Sequence, residues 1–139
     1  MIKGRLSALY KIKPLFLWVL NESGKLKLLI LANATGSIEH SLGVYLNSNT
    51  AQLQTHDAYW RSPKKIRNLY SSYPQSMVLV EGDLHLGTQG LPDGGGDFAG
   101  TFQPATHWGG RIFKYGSGTF TMSGNSTDSY LEFFLRAAR

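Results

Sequence analysis

Along most of this chain apolar and polar residues alternate one by one, in short runs that end on Asn, Ser, Gly or Pro. Successive side chains of an extended strand point to opposite sides, so this alternation commits the chain to β-strands covered on one face. Ile2, Leu6, Ala8, Tyr10 and Ile12 share one parity, whereas Lys3, Arg5, Ser7 and Lys11 share the other. Ile38, His40, Leu42, Val44 and Leu46 alternate in the same way with Ser37, Glu39, Ser41, Gly43 and Tyr45. Further on, Val78, Val80, Leu84 and Leu86 define one apolar face. The clusters Asn21-Glu22-Ser23-Gly24, Asn33-Ala34-Thr35-Gly36 and Asn47-Ser48-Asn49 carry turn chemistry. Read as hairpin turns, they predict a meander in which each strand pairs with the next.

Ser62-Pro63 interrupts the pattern and predicts at most one short helix near 63–71, with serine as cap and proline at the first helical position. The expected fold class is therefore all-β: a small antiparallel β-barrel of about eight to nine strands, with a two-sheet β-sandwich as the alternative. Short connections favour the barrel, because closure leaves no exposed strand edge. Residues 1–139 are expected to form a single domain, and no repeat of fixed period stands out. The segment Gly118-Thr119-Phe120-Thr121-Met122-Ser123-Gly124, a glycine-bounded short strand, resembles in pattern the strands of small antiparallel barrels such as lipocalins, allene oxide cyclases and dirigent proteins. No motif of those families maps onto this chain residue by residue, so their ligands and reactions are not carried over.

Hydrophobic residues make up 42% of the chain and charged ones 17%, which excludes intrinsic disorder. The absence of cysteine excludes disulfides, thiolate metal sites and a cysteine nucleophile. The net charge of +5 is lopsided: residues 1–70 hold ten Lys and Arg against Glu22, Glu39 and Asp57, and residues 71–139 hold four against six acids. The apolar run Leu15–Leu20 is too short to span a bilayer, so no transmembrane segment is expected. Nor does a small-residue cleavage site follow it. A soluble chain is expected, with the cytoplasm slightly favoured.

Three groups carry the chemistry. Glu81, Asp83 and His85, two apart on one strand, are expected on one face about 7 Å from each other. There they would share acid and base roles, with His107 as a fourth catalytic candidate, or simply face water. Their spacing is no established metal signature, and no metal is expected. The second group is Trp108, Arg111, Phe113 and Tyr115 around a Gly-Gly pair, where arginine offers a planar fork to an anion. His40 and Trp60 complete the ligand-binding candidates, the first for its place among apolar neighbours. The third group is the basic, aromatic segment 59–73, with Lys64, Lys65 and Arg67, which suits nucleic acid in principle. The acidic second half disfavours that partner.

No phosphate loop, dinucleotide fingerprint, zinc-protease motif or nucleophile elbow occurs, so no cofactor is expected. The leading expectation is a small-molecule-binding barrel for an apolar or amphipathic ligand, which the aromatic content supports. The alternatives are a cofactor-independent barrel enzyme using acid and base residues in its cavity, and a nucleic-acid or protein interaction domain using 59–73.

Overall fold

The computed structural model describes residues 42–55, 63–87, 93–126 and 130–136, and the backbone of 16–19 and 28–31. Thirteen short strands are present among them, and every strand pairing is parallel. The chain winds as a β-solenoid with three faces. The first face stacks β1 (Phe16–Val19), β3 (Gly43–Leu46), β6 (Leu69–Tyr70), β9 (Gly96–Phe98) and β12 (Phe120–Met122). A bridge between Ser71 and Phe98 links β6 to β9. The second face stacks β2 (Leu28–Leu31), β4 (Gln52–Thr55), β7 (Met77–Val80) and β10 (Thr101–Pro104). The third stacks β5 (Lys64–Ile66), β8 (Gly82–Leu86), β11 (Gly110–Lys114) and β13 (Leu131–Leu135). Each turn visits the three faces in order, giving three full turns: β3 to β5, β6 to β8 and β9 to β11.

This overturns both the antiparallel barrel and the two-sheet sandwich. Among the described strands no hairpin is present: β1 pairs with β3 and β2 with β4, never strand with next strand. Asn47-Ser48-Asn49 lies in the corner that redirects the chain from β3 to β4, and the clusters at 21–24 and 33–36 lie outside the described residues. The helix expected near 63–71 is instead β5, a corner at Arg67 and Asn68, and β6. Pro63 precedes β5, where its missing N–H removes no ladder bond within the strand.

The repeat is real but uneven. On the second face Leu28 pairs with Gln52, Gln52 with Met77 and Met77 with Thr101. On the third face Lys64 pairs with Leu84, Leu84 with Ile112 and Ile112 with Phe133, a spacing that varies widely from turn to turn. The corner between second and third faces absorbs the variation: Glu81 alone separates β7 from β8, whereas 105–109 separate β10 from β11.

Alternation supplies the core. Val44, Leu46, Leu69 and Phe98 enter from the first face, Leu53, Val78, Val80 and Phe102 from the second, and Ile66, Leu84, Leu86 and Ile112 from the third. Each such side chain contributes roughly 1.5–3 kcal/mol when fully withdrawn from water. The interior of the described turns is thus filled with side chains, not hollow like a ligand-holding barrel. Polar groups tie the turns together at the corners. The Asn68 Nδ2 donates to the Leu42 carbonyl at 2.8 Å, and its Oδ1 accepts from the Gly95 N–H at 2.8 Å. At the next corner the Ser71 hydroxyl donates to the Leu46 carbonyl and accepts from the Ser76 hydroxyl, each at 2.8 Å. Gly96, at φ 127°, enters β9 where a Cβ would collide with the Leu69 carbonyl oxygen.

Candidate ligand-binding groove

On a solenoid the outward positions of a face form ladders along the axis, because register repeats them on every turn. The first face carries Tyr45, Tyr70, Asp97 and Thr121 in such a ladder, with Trp18 in register below Tyr45. The register across β6 and β9 follows from the Ser71–Phe98 bridge and the Ser71 N–H bond to the Asp97 carbonyl. Tyr45 and Tyr70 stack with ring centroids 4.5 Å apart and planes 13° from parallel. Above them the ladder drops to smaller side chains, leaving a groove of about 550 Å³. It is lined by Tyr45, Asn47, Tyr70, Ser72, Asp97, Ala99, Thr121 and Ser123, among others.

Tyr45 covers one face of the Tyr70 ring, and Asp97 and Thr121 follow Tyr70 in register on the next rungs along the groove. The groove therefore offers an aromatic wall at one end, and a carboxylate with two hydroxyls, all exposed or half-exposed, beyond it. Burial, then the neighbouring Tyr45, Asp93 and Asp97, raises the Tyr70 pKa above its ordinary value of 10.0, with Arg67 opposing. Tyr70 is thus a neutral phenol at physiological pH. Behind the groove, Asp93 accepts from the Arg67 Nε at 2.6 Å and from the Asn68 Nδ2 at 3.2 Å. Those bonds, the Arg67 one foremost, hold its carboxyl below the usual value of 3.8 against partial burial.

The residues singled out in the sequence lie elsewhere. Glu81, Asp83 and His85 do not form one face: the corner at Glu81 and Gly82, with φ 78° at the glycine, separates them. Glu81 is buried to 2% exposure, and its backbone N–H and carbonyl are both bonded to the Thr55 hydroxyl. Asp83 and His85 point outward on the third face, where Asp83 takes both prongs of the Arg111 fork at 2.7 and 2.9 Å. That pairing occupies the guanidinium expected to grip an anion. His85 packs edge-on against Phe113 at 5.2 Å and against Tyr115 at 5.0 Å. Phe134 stacks on Phe113 at 4.9 Å, and Arg111 and Arg136 lie over the Phe113 ring. These contacts make the cluster a filled outer ladder.

His107 and Trp108 sit together on the exposed corner before β11, with ring centroids 4.7 Å apart. His40 and Trp60 lie outside the described residues. Within the basic segment the cations diverge: Lys64 is buried at an inward position, Lys65 faces outward, and Arg67 is paired with Asp93. Among the described residues no group of three or more His, Asp or Glu side chains could hold a metal ion. No helix among them is long and apolar enough to cross a membrane.

The sequence did contain a clue to the groove. Tyr45 falls on the polar parity of its strand, and a large aromatic on a solvent-facing position is more informative than one in the core. No protein-family model matches the chain, and neither a curated protein nor a solved structure matches it.

Proposed function

We propose that this chain is a binding module whose ligand lies in the first-face groove, not in an interior cavity. The observation that carries the reading is the step in the outward ladder from the stacked Tyr45 and Tyr70 down to Asp97 and Thr121. An amphipathic ring presents one apolar face to Tyr70 and its polar edge to the Asp97 carboxylate and the Thr121 and Ser123 hydroxyls. Hydroxylated or amino-substituted rings of sugar type match this chemistry. The carboxylate works against phosphate or other anions.

The test is amide NMR of the labelled protein with neutral, amino-substituted and acidic tetrasaccharides. Neutral or amino-substituted probes are expected to shift Tyr70, Asp97 and Thr121, and Tyr70→Ala is expected to weaken binding by about 1–3 kcal/mol, as for loss of a stacking platform. Shifts confined to the third face, a preference for the acidic probe, or silence from all three would refute the groove as the binding site.

A further inference from the structure

The third sheet ends on β13, whose far edge pairs with no described strand. The Gly110 N–H donates to the Tyr130 carbonyl and the Arg136 N–H to the Lys114 carbonyl. Peptide groups alternate in direction along a strand, so even-numbered positions of β13 are turned to β11, and Leu131, Phe133 and Leu135 present theirs to the free edge. The side chains of this last turn are those of an interior. Phe133 packs edge-on against Phe102 at 5.5 Å yet remains 45% exposed, Met122 is 40% exposed and Leu135 is 85% exposed. Among the described residues nothing pairs with this edge or covers the apolar side chains beside it, and such an edge is a template for another strand.

We propose that two copies of this chain close each other's open end, with β13 pairing antiparallel to its counterpart about a twofold axis beside Phe134. Charge selects both the occupant and the register. With the axis at Phe134, Glu132 of each copy stands opposite Arg136 of the other, so the ion pair forms twice. Phe133 then faces Leu135, and the edge-directed peptide groups of these two residues meet as hydrogen-bonded pairs. An axis at Phe133 would leave Glu132 opposite Phe134, and one at Glu132 would set the two carboxylates against each other. In the single chain the Arg136 guanidinium lies over the Phe113 and Phe134 rings, and in the dimer it turns from them to Glu132 of the other copy while Phe134 keeps its stack on Phe113. Such an isologous contact is closed and stops at two copies.

Sedimentation velocity of the full chain tests this. The wild type is expected to be a dimer, and Glu132→Arg to raise its dissociation constant at least about tenfold, since two attractions become repulsions. The double variant Glu132→Arg with Arg136→Glu restores the dimer, because the pair is rebuilt with its signs exchanged. Leu135→Lys, at a position the fold leaves in water, dissociates the dimer with an unchanged circular dichroism spectrum. A monomeric wild type, a dimer indifferent to Glu132→Arg and Leu135→Lys, growth into longer species, or a double variant that stays dissociated would each overturn the proposal.

Discussion

Replacing Asn68 by alanine removes a side chain that holds three successive turns together. Its Nδ2 reaches down to the Leu42 carbonyl, its Oδ1 takes the Gly95 N–H of the turn above, and it also donates to Asp93. The Gly95 bond is buried, so its loss strands a donor at a cost of about 1–3 kcal/mol, while the partly wet Leu42 carbonyl loses about 1 kcal/mol. The expected loss of unfolding free energy is thus about 2–4 kcal/mol. Urea unfolding at neutral pH, followed by circular dichroism, reads it as a lowered midpoint at unchanged slope. Asn68→Asp separates this account from a mere loss of packing. It keeps the acceptor for Gly95 but sets a carboxylate against the Leu42 carbonyl and the Asp93 carboxylate, so it must destabilise more than alanine does. A loss below about 0.5 kcal/mol for Asn68→Ala, within the range of an ordinary surface change, would refute the reasoning. So would an aspartate variant more stable than the alanine one.

Gly96→Ala combines a φ of 127° with a collision against the Leu69 carbonyl, and is expected to cost more than about 2 kcal/mol in the same assay. Leu53→Ala empties a fully buried position of the second face and is expected to cost about 2–5 kcal/mol, with a thermal midpoint lowered to match. Because the Tyr70 pKa is raised on folding, stability is unaffected by this residue below pH 10 and falls as pH climbs from 10.0 through the folded value. Tyr70→Phe flattens that decline in alkaline urea titrations, and an unaltered slope would contradict it. The depressed Asp93 carboxyl acts at the other end: its contribution is present above pH 3.8 and is lost as pH falls through the lower folded value. Part exposure limits it to under about 1 kcal/mol, and Asp93→Asn removes that portion of the acid transition.

Much of the local structure was legible in the residues. The parity of Val44 and Leu46, and of Val78, Val80, Leu84 and Leu86, identified inward positions that are indeed buried. Strand direction was not legible, because alternation records only that one face is covered and the other wet. Parallel sheets usually have both faces covered, and this would argue for antiparallel pairing. A solenoid escapes the rule by covering only the inner side of each sheet. Asn47-Ser48-Asn49 then reads equally as a hairpin turn or as a corner, since both need the same residue chemistry. The repeat stayed hidden because the corner after the second face differs in length on each turn. Tyr45, Tyr70 and Asp97 lie far apart in the chain and meet only through the stacking of turns, so no local motif could join them. Glu81 was misplaced for a local reason: it is itself the corner residue between β7 and β8, where Gly82 turns the chain, so it departs from the parity that the strands on either side keep.

That same unevenness gives protein engineers a handle. His107 and Trp108 cap a connection longer than the single residue serving the equivalent place one level down, and both stand in water. The strands flanking the detour are in register with the turn below, β10 on β7 and β11 on β8, although the two connections differ in length. A foreign epitope spliced at this spot would be displayed outward on a rigid scaffold, with its ends anchored by strands that already tolerate different spans.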